Sequence, residues 1–429
     1  MDKKPIAIAG ISLIVLIFVV VFLSDRSQGP IILGIRAEFI LFAVTLIGVA
    51  LLHHNTFEVA LTGLASILLL KLALDPAFSL GEHLYHEWEI IVNLFGLLLG
   101  FALLAKHFEE SKMPEYLPNV LPDDWKGGLV LLVIIFVLSS FLDNIAAAMI
   151  GGTIAMTVYR NKVHMGFLVA IVAASNAGGC GSVVGDTTTT MMWIDGVNAM
   201  DVLHGYVAAF PALIFFSVFA SIQQQKYNPI VKSTAITLRE VDWVKIFIVA
   251  LILAGAIITN VYLDFPAVGV WVAIVIGSLF SKTAWKEISN SIKGTIFLLS
   301  LVLCASMMPV QQLPLASWQT AFGLGFVSAV FDNIPLTKLA LTQGGYDWGM
   351  LAYSVGFGGS MIWFGSSAGV ALSNMYPEAK SVLAWVSNGW HVTVAYILGF
   401  FILLYTLGWQ PHPPHKVYPN QSPPVKEGH

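Results

Sequence analysis

The segment Ser139-Ser140-Phe141-Leu142-Asp143-Asn144-Ile145 recurs 189 positions later as Ser328-Ala329-Val330-Phe331-Asp332-Asn333-Ile334, each copy inside a long apolar stretch. A carboxylate beside a carboxamide and a hydroxyl offers the oxygen ligands that small hard cations take, and it can equally hold a proton. Each copy is followed by a glycine pattern, Gly178-Gly179 with Gly185 and then Gly358-Gly359 with Gly365. The doublets lie 180 positions apart, so the copies differ by nine residues in length, as diverged repeats do. Paired Gly-interrupted apolar segments in corresponding places point to the binding site of a transporter.

Asp143 is the only carboxylate between Gly127 and Tyr159. A charge there costs a few kcal/mol in hydrocarbon unless a cation or proton compensates it. A helix N-cap is the alternative reading, but a cap needs one polar residue and the motif supplies Ser139, Asp143 and Asn144; Ser328, Asp332 and Asn333 repeat the set, with Pro335 early in the next helix. Asp186 closes the run from Asn176 through Gly178, Gly179, Gly181 and Gly185 and opens Thr187-Thr188-Thr189-Thr190. So many glycines preclude a continuous helix. The break should free backbone carbonyls and place one carboxylate and several hydroxyls at a helix start; a Thr-rich cap is the plain alternative. In the second copy Ser366 and Ser367 stand where Asp186 and Thr187 would, so the two half-sites are unequal. Lys338, six residues beyond Asp332, reads either as a surface lysine at a hairpin mouth or as an ammonium near a second cation position. Glu89, beside the interfacial Trp88, reads as an interface glutamate or, if inward, as a proton relay. His53, His54, His83, His86, His107, His164 and His204 fall near span ends and read as interface histidines.

The elements that must position these residues are membrane spans. With 57% hydrophobic and 11% charged residues and a mean hydropathy of +0.80, the chain is too apolar for a soluble protein. The expectation is an all-α integral membrane protein with eleven candidate spans, near 5–23, 31–52, 56–74, 88–106, 164–198, 203–221, 244–261, 267–281, 294–310, 346–375 and 385–408. Residues 127–158 and 314–343 read instead as re-entrant hairpins with the Asp-Asn pairs at their tips. Counting basic residues by loop puts the N-terminus and most lysines in the cytoplasm, the C-terminus in the periplasm, and the two hairpins opening to opposite sides, as inverted-topology repeats. The organisation expected is an N-terminal span over 1–26, a first repeat over 27–222 with hairpin 127–158 and broken helix 164–198, a cytoplasmic linker over 223–243, a second repeat over 244–409 with hairpin 314–343 and broken helix 346–375, and a Pro-rich tail over 410–429. The first apolar run is too long for a usual signal core and lacks a small-x-small cleavage site, so it is read as a retained span. The net charge of −4 argues for no nucleic-acid partner. Cys180 and Cys304, both in apolar segments, are expected to be free thiols.

These motifs resemble the ion transporter superfamily that includes arsenite permeases, and within it the NhaD-type sodium/proton antiporters, from about Glu82 to Phe401. The sharpest parts are Ser139 to Ile145, Asn176 to Trp193, Ser328 to Thr337 and Gly358 to Gly369. The resemblance implies an inverted-repeat fold with two re-entrant hairpins and two broken helices, a homodimer, and one body that moves like an elevator against a scaffold. It places the polar site on Ser139, Asp143, Asn144, Asn176, Asp186, Thr188, Thr189, Ser328, Asp332, Asn333, Ser366 and Ser367, with Glu89 a weaker match. Lys338 departs from the family pattern.

The function expected is secondary antiport in an inner membrane, serving pH homeostasis: sodium or lithium and protons compete for the aspartates, whose two charge states bind exclusively. No cofactor is expected; the ion is substrate. Two further readings stand beside it. A sodium-coupled dicarboxylate or other anion carrier, or an arsenite permease, would belong to the same superfamily, though an anion would want more basic residues than Lys338. An intramembrane aspartyl enzyme would pair Asp143 with Asp332, but neither a Gly-x-Ser-x-Gly elbow nor a His-Glu-x-x-His pair supports hydrolysis, so the chain is read as no enzyme.

Overall fold

A long apolar run in hydrocarbon can satisfy its own backbone only as a helix. The computed structural model is accordingly helical, apart from one small antiparallel pair, β1 (Ile31–Ile32) with β2 (Ile35–Arg36). It describes residues 31–32, 35–52, 55–230 and 240–412, together with Ser12, Leu16 and Val19. Most of the expected first span, Lys3, Lys4, Arg26, His53, His54, the 231–239 part of the linker with Lys232 and Arg239, and the tail from 413 with Lys416 and Lys426 lie outside the described residues.

The main helices are α1 (Ala37–Leu51), α2 (Thr56–Leu74), α3 (Leu80–Glu110), α4 (Trp125–Ser139), α5 (Asn144–Val158), α6 (Met165–Gly179), α7 (Thr187–Ile194), α8 (Gly205–Tyr227), α9 (Trp243–Leu263), α10 (Pro266–Ser278), α11 (Lys286–Ser306), α12 (Trp318–Ser328), α13 (Asn333–Gln343), α14 (Trp348–Gly358), α15 (Ser367–Met375) and α16 (Trp390–Leu407). Short helices at Met113–Tyr116, Ala199–Leu203 and Val382–Asn388 are left unnumbered. Among the described residues six segments are long and apolar enough to cross a membrane: α2, α3, α8 with the short helix before it, α9, α11 and α16. The architecture is that of a multi-pass membrane protein. The expected eleven crossings are not reached by length. Helices α1 and α10 have 15 and 13 residues, about 20 Å at 1.5 Å per residue against a hydrocarbon core of about 30 Å. Helix α10 starts at Pro266, just after a left-handed Asp264 (φ 52°), and ends at Ser278, short of the expected 281.

Two tight helical hairpins, α4–α5 and α12–α13, turn at Ser140–Asp143 and Ala329–Asp332. Helix α6 ends at Gly179 and α7 resumes at Thr187; α14 ends at Gly358 and α15 resumes at Ser367. The packing is crossed: α4 lies on α6 and α12 on α14, while α5 lies on α15 and α13 on α7. Glycine makes the first of these possible. A Cβ on Gly178 would stand 2.1 Å from the Phe136 carbonyl oxygen, and one on Gly358 2.3 Å from that of Gly325. Gly185 and Gly365 are pressed in the same way onto the carbonyls of Ser139 and Ala329. The hairpin tips therefore sit with their backbones directly against the helix breaks. Helix α3 runs past this assembly and packs on α9, α10 and α11, and a second, smaller core fills the space between α1, α2 and the end of α11.

Adding a methyl at Gly178 or Gly358 should force the hairpin off its broken helix and cost about 1–3 kcal/mol of stability. Gly323, whose added Cβ would meet nothing within 4 Å, is the control, and its alanine variant should match or slightly exceed the parent. Thermal unfolding in detergent checks both; equal melting temperatures for Gly178→Ala and the parent would refute the close-approach account.

Candidate functional site

Each of the two hairpin turns and two helix breaks places a polar side chain at a helix start, where unpaired backbone N–H groups point outward. Asp143 caps α5, accepting from Ile145 N at 3.2 Å, and Asp332 caps α13, accepting from Ile334 N at 3.0 Å. Asp186 caps α7 and Ser366 caps α15. The capping reading of the aspartates thus holds as geometry, yet a cap uses only part of a carboxylate's acceptor capacity, and Asp186 shows where the rest goes.

Asp186 is 3% exposed and is reached from both hairpins. The Asn144 amide donates to its Oδ1 at 3.3 Å and the Asn333 amide to its Oδ2 at 3.5 Å. Its own helix adds Thr188, through the backbone N to Oδ1 (3.4 Å) and the hydroxyl to Oδ2 (2.9 Å). Asn176, at the end of α6, ties the two broken helices together: its carbonyl accepts from Asn144 Nδ2 at 3.1 Å, and its Nδ2 donates to Ser360 Oγ at 2.9 Å and Ser366 Oγ at 3.1 Å. One carboxylate is thereby linked, directly or through Asn176, to both hairpins and both breaks. Buried carboxylates need such donors, since an unpaired one costs far more than an ordinary hydrogen bond returns.

A cavity of about 240 Å³ adjoins this centre. Asp143, Asn144, Asp186, Thr187, Asn333 and Ser367 supply its polar wall; Leu98, Phe101, Ala102 and Ala105 of α3 and Ser291, Gly294, Thr295 and Leu298 of α11 supply the facing wall. Asp332 is not part of the lining, but Ser367 stands beside its carboxylate and does line the cavity.

The remaining expected residues divide. Ser328 is buried and donates to the Val355 carbonyl at 2.7 Å. Ser139 is fully buried, its hydroxyl without a partner among the described residues. Thr189 does not face the cavity: its hydroxyl is spent on the carbonyls of Ser182 (2.6 Å) and Asp186 (2.9 Å), as that of Thr190 is on Val183 (2.9 Å) and Asp186 (2.8 Å). The freed carbonyls expected as ligands at the first break are largely consumed in this way; Gly178 O also accepts from Ser140 and Tyr206. Glu89 is half-buried and lies outside the cavity lining. Lys338 is no surface lysine at a hairpin mouth: it is fully buried, 2.9 Å from Glu87 of α3. A heptad-like reading of α3 could have found Glu87, which shares the buried face with Ile90, Asn93 and Leu94. Ser360 was also missed; its signal is its place directly after Gly358-Gly359. Cys180 and Cys304 are free and buried, as expected.

The site is a buried carboxylate held between two helical hairpins and two interrupted helices in a helical, multi-pass membrane protein, the kind of arrangement in which membrane carriers hold ions. The chain is 25% identical over 332 residues to sodium/proton antiporter 1 of Arabidopsis thaliana, covering 66% of this chain and 54% of that protein. It is 26% identical over 293 residues to the Na(+)/H(+) antiporter NhaD of Alkalimonas amylolytica, 55% of this chain and 60% of that one, and 25% identical over 296 residues to NhaD of Vibrio parahaemolyticus, 55% and 70%. The resemblance to NhaD-type antiporters read from the motifs is thus borne out at family level. The matches span 54% and 60% of the length of the first two relatives. No protein-family model matches the chain.

If the two asparagines hold one carboxylate, Asn144→Ala and Asn333→Ala should each destabilise by about 1–3 kcal/mol. In an Asp186→Ala background, where there is nothing left to hold, the same changes should cost less. A double-mutant cycle on melting temperature reads the coupling; strictly additive losses would mean that the asparagines serve other partners.

Proposed function

We propose that this protein is a secondary antiporter that exchanges sodium or lithium for protons, with Asp186 at the centre of the ion site. The observation that carries the reading is the convergence of Asn144, Asn333 and Thr188 on one buried carboxylate that lines a cavity together with Asp143. A dehydrated alkali cation needs several oxygens and compensating negative charge in a dry site. Asp143 and Asp186 supply charge; Thr187, Ser367 and the asparagine carbonyls supply neutral oxygens. Asp332, Ser366, Asn176 and Ser328 support this arrangement from behind the cavity wall. A proton and a cation cannot both occupy the same carboxylate, so competition alone couples the two gradients. The names of the relatives, sodium/proton antiporters all, support the same reaction.

The arrangement is read as two inverted-topology repeats, 27–222 and 244–409, joined by the linker 223–243. Supporting this are the matched helix breaks and the paired glycine contacts on Phe136 and Gly325. The cavity's facing wall runs along the C-terminal half of α3 and the N-terminal half of α11, the end that carries Lys106, Lys286 and Lys293. By the positive-inside rule that end is cytoplasmic. The protein is read as a homodimer in the inner membrane, its N-terminus inside and C-terminus outside.

The anion-carrier reading loses ground because no basic residue lines the cavity among the described residues and Lys338 is committed to Glu87. An aspartyl dyad would need both hairpin aspartates in one cavity, and Asp332 is not in the lining.

Sodium- or lithium-induced dequenching of a pH dye in everted vesicles should be strong for the parent and abolished in Asp186→Asn, which keeps volume and a capping oxygen but removes the charge. Full exchange in the Asn variant, or a signal with succinate and none with sodium or lithium, would sink the proposal. Gly294 offers an independent check of the route. Its added Cβ would meet nothing within 4 Å and the residue lines the cavity, so Gly294→Trp should fill the space, leave expression and melting temperature unchanged, and lower exchange by at least tenfold. A tryptophan variant that transports at the parental rate would place the ion path elsewhere.

A further inference from the structure

Lys338 has no role in the site just described, yet it is among the largest fully buried side chains in the molecule. Its ammonium stands 2.9 Å from Glu87 Oε2 on α3 and 4.0 Å from Asp195 Oδ1. Both carboxylates are buried too, Glu87 at 4% and Asp195 at 0% exposure. An ion cluster of this kind is a poor source of stability, because the desolvation of its members offsets most of their attraction; its best-attested use is to fix register.

The register in question is that of α7 against α13. Asp186 caps the start of α7 and Asp195 its end. Asn333 opens α13 and Lys338 follows five residues on. The two helices therefore meet at two levels: Asn333 on Asp186 at the site, and Lys338 near Asp195 at the far end. The corresponding seam, α5 against α15, is built differently. Met149 lies six residues after Asp143, as Lys338 does after Asp332, and Met375 lies nine after Ser366, as Asp195 does after Asp186. That seam is closed without charge: the Tyr376 hydroxyl donates to Gly152 O at 2.8 Å, and the Met375 sulfur would stand 3.2 Å from a Cβ on Gly152. Of the two seams, only the one that carries the site's central carboxylate has an ionic brace among the described residues.

The brace matters because the Asn333 contact has no slack. At 3.5 Å it is the longest of the hydrogen bonds to Asp186, at the limit where such a bond ceases to count. A shift of a few tenths of an ångström between α7 and α13 would release it.

We propose that Lys338 is a positioning residue for the Asp186 ion site: bridging Glu87 on α3 and Asp195 at the end of α7, it holds α13 where Asn333 reaches the carboxylate. The inference rests on the reading of Asp186 as the centre of a cation site.

Sodium-driven exchange in everted vesicles tests it, with half-saturating sodium and maximal rate measured separately. Lys338→Met, which copies the corresponding Met149, should raise half-saturating sodium about three- to tenfold, the loss expected from one weakened ligand contact, and leave the maximal rate within about twofold. Lys338→Arg retains the cation and should recover most of the affinity. Because the methionine variant leaves two buried carboxylates without the lysine charge and can fail to accumulate, K338M/E87Q/D195N is the second arm: with all three charges removed it should melt near the parent and still show the raised half-saturation, since neutral side chains do not clamp the helices. Parental half-saturation in either the methionine or the triple variant would overturn the inference and leave the lysine as mere charge compensation. A parent that does not exchange sodium, or an Asp186→Asn variant that still does, would instead overturn the site reading on which this rests.

Discussion

One carboxylate organises this protein. Asp186 is almost fully buried and is held by the amides of Asn144 and Asn333 and by the backbone and hydroxyl of Thr188. A charge in an apolar interior tolerates no vacancy among its donors, so every element that brings one must arrive together. That requirement explains the interrupted helices. A continuous helix satisfies its own backbone and offers nothing outward, whereas an interrupted one exposes N–H groups that cap residues can claim and side chains that can face a partner.

The glycines follow from the same demand. For Asn144 and Asn333 to reach a residue on α7, the hairpin tips must lie directly against the helix breaks, and this is where Gly178, Gly185, Gly358 and Gly365 place bare backbone against carbonyls. The threonines of α7 then take a different part from the one their composition suggests. Thr189 and Thr190 stitch the irregular segment to itself, so that Asp186 and Thr188 are presented by a fixed loop. On the proposed reading, ligands held this way would lose little freedom on capturing an ion.

Much of this was legible in the sequence because it is local. The doubled Asp-Asn motif, the glycine doublets and the apolar runs are short-range signals, and the hairpins and helix breaks occur where those signals stand. What escaped was long-range. Lys338 reads as a hairpin-mouth lysine when only its own segment is considered; its burial depends on Glu87, 251 positions earlier on a helix whose inward face cannot be aimed from periodicity alone. The neighbouring Glu89 carries the same chemistry, and only the spacing of Glu87 from Ile90, Asn93 and Leu94 separates the two. The expected spans and the observed helices differ for a related reason. Apolar composition does not reveal that α10 ends at Ser278, three residues inside the expected span, nor that Ile31–Ile32 and Ile35–Arg36 pair as strands ahead of α1.

The position of Asn176 has a consequence for how alike the two motif copies can be. In the second copy its counterpart is Gly356, where an added Cβ would sit 3.2 Å from Cys180 Cβ and 3.5 Å from the Asp186 carboxylate oxygen. Asn176 and Asp186 of one copy already occupy the middle of the assembly, and that volume can be filled only once. Two identical halves would collide there, side chain against side chain and charge against charge. The two motif copies are accordingly unlike where they meet: Gly356 stands at the place of Asn176, and Ser366 at that of Asp186.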